Sequence, residues 1–158
     1  MAAGRRGAAR RLSPGRPLKK TVYVDTAWLV ALIDVRDQHH GQASKLAETL
    51  AAEEVSLLST DAVVIELCNY FARSPLRAEA ISWIEEIRGA DGWEIVSVDR
   101  RLLSRAERRY RAHADKNWSL TDCIGMELML SRRVESAATT DSGFRQAGFR
   151  ILLAERSR

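Results

Sequence analysis

The chain has 158 residues, 46% of them hydrophobic and 29% charged, which suits one domain of ordinary size with a real core. No apolar run approaches the roughly 20 residues needed to cross a bilayer, and the composition excludes a coiled coil, a collagen-like chain and a zinc finger. The formal charge of +4 belongs to one end: the seven basic residues within residues 1–20 leave 18 basic against 21 acidic residues in the rest, a balance of −3.

Residues 1–20 carry Arg5, Arg6, Arg10, Arg11, Arg16, Lys19 and Lys20, no acid and almost nothing to bury. Such a segment cannot offset its ordering entropy, so disorder is expected. It reads as a solvated extension, or a start codon placed too early, or as an arm attracted to nucleic-acid phosphate. No apolar stretch follows the Arg pairs, so export is not expected and the chain reads as cytoplasmic. Cys68 and Cys123 lie in apolar helical runs and read as buried free thiols of a reducing compartment.

From Thr21 onward strands and helices alternate. The β-branched and aromatic run Thr21–Asp25 predicts a strand, and the apolar run Thr26–Val35 a helix. Helical spacing continues over Gln38–Glu53. A second strand is expected at Val55–Leu58, followed by an apolar helix over Asp61–Ala72 and an amphipathic one over Arg77–Arg88, with Ile81, Ile84 and Ile87 on one side. Glu94–Val98 predicts a third strand, Arg101–Ala114 and Ser119–Arg132 two helices, and Ala137–Thr140 and Phe149–Leu153 the last strands. Strands separated by helices imply crossover connections, and hence a mainly parallel sheet between helical layers, a three-layer α/β/α arrangement. The expected division is a basic tail at 1–20, one domain at 21–154 and a short tail at 155–158.

In such a sheet, ligands bind beyond the carboxyl ends of the strands. Asp25 closes the first strand and Asp141 follows the fourth; taken singly, each also suits a helix N-cap. Glu66 sits in the apolar run Ala62–Cys68, with no Lys or Arg within a turn. A partly buried carboxylate without a cation is costly and calls for a compensating group, unless the side chain simply points outward. Asp122 fits the capping box Ser119-x-x-Asp122, with Trp118 and Cys123 as the flanking hydrophobic staple; capping also aims the carboxylate. Two Asp at strand ends, one Glu in a helix and one Asp at a helix start form an oxygen-only donor set. That set suits Mg²⁺ or Mn²⁺, and with the ion bound it suits phosphodiester hydrolysis by an activated water.

Secondary candidates surround this set. Asn69 lies one turn beyond Glu66 and reads as a hydrogen-bond partner or a core residue. Arg100, Arg101, Arg105, Arg108, Arg109 and Arg111 give one helix a basic face, which reads as a solvated face, an RNA phosphate grip or a contact for an acidic segment of a partner protein. His39 and His40 read as surface residues, since a hard cation does not select imidazole. Trp118 can stack a base, although the staple role accounts for it as well.

With these residues in view, the sequence resembles the PIN-domain family, most closely the VapC-type toxin ribonucleases of bacterial toxin–antitoxin pairs. The matching segments are Val24-Asp25-Thr26, Ile33-Asp34 through His40 with Ala43, Ile65-Glu66-Leu67, Ser119-Leu120-Thr121-Asp122, Thr139-Thr140-Asp141 with Phe144, and Gln146-Ala147-Gly148-Phe149. In order, they cover about Thr21 to Leu153. The resemblance implies a three-layer α/β/α sandwich and RNA cleavage with Mg²⁺ or Mn²⁺ held by Asp25, Glu66, Asp122 and Asp141. It also implies an antitoxin that blocks the site, and a homodimer.

Two positions depart from the family pattern. Ala27 stands where many relatives have Ser, leaving Thr26 as the hydroxyl beside Asp25. Ser142-Gly143 stand where many toxins carry a basic pair. The alternative function is a PIN-fold regulatory or RNA-binding scaffold with little catalysis, against which the presence of all four acids argues. A haloacid-type phosphatase needs a second Asp where Ala27 stands, and a receiver domain needs an acidic pair after the first strand.

Overall fold

The structure is a computed structural model describing residues 20–153. The basic tail, except Lys20, and the short C-terminal tail lie outside the described residues. The elements run β1 (Thr21–Val24), α1 (Thr26–Ile33), α2 (His40–Ala52), β2 (Ser56–Thr60), α3 (Asp61–Tyr70), α4 (Arg77–Gly89), β3 (Trp93–Val96), α5 (Arg100–Ala112), α6 (Leu120–Arg132), β4 (Ser136–Ala138), α7 (Ser142–Gln146) and β5 (Arg150–Ile151). Among the described residues, no helix is long and apolar enough to cross a membrane.

The five strands form one parallel sheet in the order β3-β2-β1-β4-β5, flanked by helices as the three-layer expectation required. The chain builds outward from β1 through β2 to β3, then returns to lay β4 on the other side of β1. The order therefore reverses beside β1. A parallel sheet opens a crevice at such a reversal, beyond the carboxyl ends of the strands. The pairing of β1 with β4 continues past β1 itself, where the Asp25 amide donates to the Ala138 carbonyl at 3.3 Å.

Burial explains why β1 is central. Val22, Tyr23 and Val24 are fully buried, as a strand covered on both faces must be. α1 buries Trp28, Leu29, Val30, Ala31 and Ile33, almost its whole surface, which marks it as a core helix. α5 fully buries only Leu102 and Ala106 and turns Arg101, Glu107, Arg108 and Arg111 to solvent. The Tyr23 ring stacks on Phe144 at 5.9 Å, and Phe144 in turn meets Phe149 at 6.4 Å, tying β1 to α7 and its exit.

Several boundaries differ from expectation. α1 ends at Ile33 because Asp34 takes the Arg36 amide (3.0 Å) and guanidinium (3.1 Å) into a turn, leaving Val35 exposed. α2 starts at His40 because the Asp37 carboxylate accepts the His39 amide at 2.7 Å. His40 is half-buried rather than on the surface, its Nδ1 bonded to the Ala31 carbonyl at 2.8 Å. Of the three isoleucines of α4, Ile84 and Ile87 are buried while Ile81 is exposed. Cys123 is buried, but Cys68 is exposed, since Leu67 takes the inward position of α3. α7 was not expected: its five residues are too few for a helical period, and the Asp141 side chain starts it by accepting the Gly143 amide at 2.7 Å. β5 is shorter than the Phe149–Leu153 run.

Gly125 on α6 lets the helix approach β1. A methyl group there would lie 2.5 Å from the Tyr23 hydroxyl oxygen and 2.6 Å from Cζ. The ring is fully buried against Phe144 and has nowhere to turn. Gly125→Ala is expected to cost about 1–3 kcal/mol of stability despite its higher helix propensity, read as a lowered midpoint in urea unfolding. An unchanged midpoint would show that the helix can shift freely.

Candidate active site

The strand order brings the four acids to one edge. Asp25 follows β1 directly and is only 4% exposed. It holds the N-cap position of α1, yet its side chain makes no capping hydrogen bond. Capping therefore does not account for this carboxylate. Thr139, just past β4, donates its hydroxyl to Asp25 Oδ2 at 2.7 Å, and the same hydroxyl accepts the Asp141 amide at 3.0 Å. One threonine thus ties the end of β1 to the start of α7.

Glu66 comes from the middle of α3, and its Oε2 accepts the Thr26 hydroxyl. Thr26 is the first residue of α1, so the junction after β1 orients two acids through adjacent residues. Asp122 is 8% exposed and sits in a complete capping box: Oδ2 accepts the Ser119 amide at 2.6 Å, and the Ser119 hydroxyl accepts the Asp122 amide at 3.0 Å. Asp141 caps α7.

Electrostatics show that these carboxylates sense one another. Burial pushes the Asp25 carboxyl up to about 7; the Thr139 hydrogen bond opposes this, while the charges of Asp122 and Glu66 add to it. Burial likewise pushes Asp122 up to about 6, against the Ser119 amide and hydroxyl, with Asp141 and Glu66 adding to the rise. The buried Tyr23 phenol below is raised by desolvation first, then by Asp25. Among the described residues, none of the four acids has a Lys or Arg salt-bridge partner.

A hard divalent cation fits this donor set, because it favours ionised carboxylates that burial and mutual repulsion disfavour. The side chains are nevertheless turned toward local donors. Among the described residues, no three His, Cys, Asp or Glu are grouped closely enough to form a ready metal shell. Each carboxylate engages a neighbour through one named oxygen: Asp25 Oδ2, Glu66 Oε2, Asp122 Oδ2 and Asp141 Oδ1.

The secondary candidates separate. Thr26 is at the site. Asn69 is exposed and lines a cavity of about 210 Å³ with Cys68, Phe71, Arg77 and Ile81, apart from the acids. Arg105 is held by Glu127 of α6 at 3.6 Å, with Arg109 on the same carboxylate at 2.7 Å, so two charges of the basic helix fasten α5 to α6. Arg101 and Arg108 stay exposed. Trp118 is buried but its ring meets His113, at 4.8 Å between centroids, and lies over Gly143. A methyl group at 143 would come within 2.9 Å of Trp118 Cδ1 and 3.0 Å of Asp141 Oδ1, which explains why no basic side chain stands there. Sequence reasoning assigned no role to Thr139; its signal was a hydroxyl two residues before a strand-end Asp.

A family model for the PIN domain matches residues 22–150. Among solved structures, the fold is similar to VapC20 of Mycobacterium tuberculosis, a sarcin–ricin loop cleaving toxin, with a TM-score of 0.72 and 22% identity over 81% of this chain and 95% of that one. It is also similar to VapBC2 of Rickettsia felis bound to a DNA fragment from their promoter, with a TM-score of 0.62 and 13% identity over 83% and 96% of the two chains. For FitAcB of Neisseria gonorrhoeae the TM-score is 0.55, with 17% identity over 82% and 95%. No curated protein sequence matches the chain significantly.

The raised Asp25 carboxyl makes stability depend on pH. Between an unfolded value near 3.8 and a folded value of about 7, the folded state binds the extra proton. Stability is therefore greatest in the acid part of this window and falls as pH rises through about 7. In EDTA, the melting temperature of the wild type should fall by several degrees from pH 5 to pH 8. Asp25→Asn should flatten most of that slope and melt higher than wild type at pH 8. Identical pH profiles would show that Asp25 is not the buried, uncompensated group.

Proposed function

The chain belongs to the PIN domain family, and from that premise we propose that it is a metal-dependent endoribonuclease, the toxin of a toxin–antitoxin pair, hydrolysing RNA phosphodiester bonds with Mg²⁺ or Mn²⁺. The observation that carries this reading is Asp25: buried, without the side-chain capping bond its N-cap position would suggest, and raised by burial and by two further acids. A structural carboxylate with no salt-bridge partner is hard to justify in that position, whereas a cation ligand requires such a place. The fold shared with a toxin that cleaves the sarcin–ricin loop supports RNA as the substrate. By the same analogy, the partners are a cognate antitoxin protein and a second copy in a cytoplasmic homodimer, and the nuclease unit spans residues 21–154.

Asp25 and Asp122 would hold the ion directly, with Glu66 and Asp141 completing the set, Glu66 through water. The bound ion supplies polarisation of the scissile phosphate and a lowered pKa for the attacking water. The protein's own share is orientation and exclusion of solvent. Thr139 fixes one oxygen of Asp25, Thr26 steers Glu66, and the Ser119 box aims Asp122. Burial of Asp25 and Asp122 strengthens their hold on a cation, because few water dipoles compete there. Asp141 should matter least, since it follows the later strand β4 and Ser142-Gly143 supply no cation beside it.

Asp→Asn changes keep the shape and remove the charge. Asp25→Asn and Asp122→Asn should each lower the rate on single-stranded RNA by about 100-fold or more, about 3 kcal/mol of transition-state stabilisation. EDTA should abolish cleavage and Mn²⁺ restore it. Expression of the wild type alone should arrest growth, and of the Asn variants should not. Equal cleavage by wild type and variants, or full activity in EDTA, would overturn the carboxylate–metal mechanism; binding without cleavage would favour a scaffold.

A further inference from the structure

Beside Asp141, the loop between α5 and α6 borders a trough with an inner and an outer part. The inner part, about 220 Å³, is lined by Asp141, Ser142, Gly143 and Gln146 on one side and Lys116, Asn117 and Trp118 on the other. The outer part, about 850 Å³, shares Lys116, Asn117 and Trp118 and continues to Tyr110, Arg111 and His113. Asp115 also lines the inner part, and the shared residues Lys116, Asn117 and Trp118 stand between a candidate metal ligand and the exposed end of α5. We propose that this outer trough binds a nucleotide of single-stranded RNA flanking the scissile phosphate, with Tyr110 as the base-stacking platform and Arg111 and Lys116 beside the ribose–phosphate. The proposal rests on the ribonuclease reading above and adds where the strand runs.

The lining carries the argument. Tyr110 is 54% exposed although it is a large aromatic, and single-strand binders pair such rings with nearby cations. His113 seats on Trp118, and its Nδ1 faces the Arg109 carbonyl at 3.0 Å. A carbonyl only accepts, so Nδ1 donates in this contact, which leaves Nε2 to pair with a ligand. The Trp118 indole N–H has no acceptor among the described residues. The volume lies in the range of small-ligand pockets, ample for one nucleotide.

Charge alone does not decide between occupants. Arg111 and Lys116 are offset by Glu107 in the lining and by Asp115, which pairs with Lys116 at 3.1 Å. A balanced lining gives an acidic peptide and an RNA backbone alike little net attraction, and the exposed Tyr110 ring, a stacking surface that a base uses and an acidic side chain does not, favours RNA. Such a lining suits a ligand held chiefly by stacking and hydrogen bonds, as a base is.

The test uses the full chain and fluorescein-labelled single-stranded RNA decamers of randomised sequence, titrated in EDTA at about 0.2 M salt, where exposed charges are screened. Tyr110→Ala should weaken binding about tenfold or more, and Tyr110→Phe should restore it, because stacking needs the ring and not the hydroxyl. Arg111→Ala should weaken it severalfold. In Mn²⁺, Tyr110→Ala should raise KM for RNA and leave cleavage of bis(p-nitrophenyl) phosphate, too small to reach the trough, unchanged. Unaltered RNA affinity in Tyr110→Ala and Arg111→Ala, or no RNA binding by the wild type, overturns the proposal. So does loss of antitoxin binding with RNA affinity intact, which would assign the trough to a protein partner. If RNA binding falls as expected but no variant or wild type cleaves anything, the trough stands and the nuclease reading fails.

Discussion

The arrangement of this protein turns on withdrawing like charges from water at the end of its central strand. A lone buried carboxylate can be neutralised by a proton or an ion pair; Asp25 has no salt-bridge partner among the described residues and two acids within electrostatic reach. The neighbouring structure moderates this cost with hydroxyls and amides. Thr139, Thr26 and the Ser119 box each supply a donor that favours the charged form without neutralising it. Neutral donors steady the acids and leave their charge available to a cation, which lysines would have cancelled.

The topology determines which acids meet. With β1 between β2 and β4, the residue after β1 faces both the α3 side, through Thr26, and the α7 side, through Thr139. α6 completes the site from above, and its approach depends on Gly125 passing the Tyr23 ring. The aromatic run Tyr23–Phe144–Phe149 lies beneath the carboxylates and couples packing to site geometry. The Arg105 and Arg109 grip on Glu127 holds α5 against α6 and so positions the α5–α6 loop near Asp141.

Much of this was legible in the sequence because the signals were local. β1 and α1 are apolar runs bounded by threonine and aspartate, and both are almost wholly buried. The capping box at Ser119 is a four-residue pattern and formed as read. What escaped was short or non-local. α7 is five residues long, too brief for a period, and its start is set by a side chain. The exposure of Cys68 and Ile81 depends on which helix face the neighbours cover, and an apolar run does not specify that. Asn69 shares a helix with Glu66, but the turn of α3 carries it to another cavity. Glu127 captures Arg105 and Arg109 across an interhelical contact that no spacing on α5 encodes. The four acids were recognisable by type and order, while their proximity depended on β4 lying beside β1, a strand order that alternation alone does not give.

The hydrogen bond from Thr139 has a directional consequence. A hydroxyl has a single hydrogen, and here it points at Asp25 Oδ2 while its oxygen receives the Asp141 amide. Oδ2 is thereby engaged as an acceptor, which opposes protonation of the Asp25 carboxyl. A cation would draw on the same carboxylate. Proton and ion would thus be rival tenants of one group, so that loading the site would entail expelling a hydrogen ion, and acidity itself would compete with the metal.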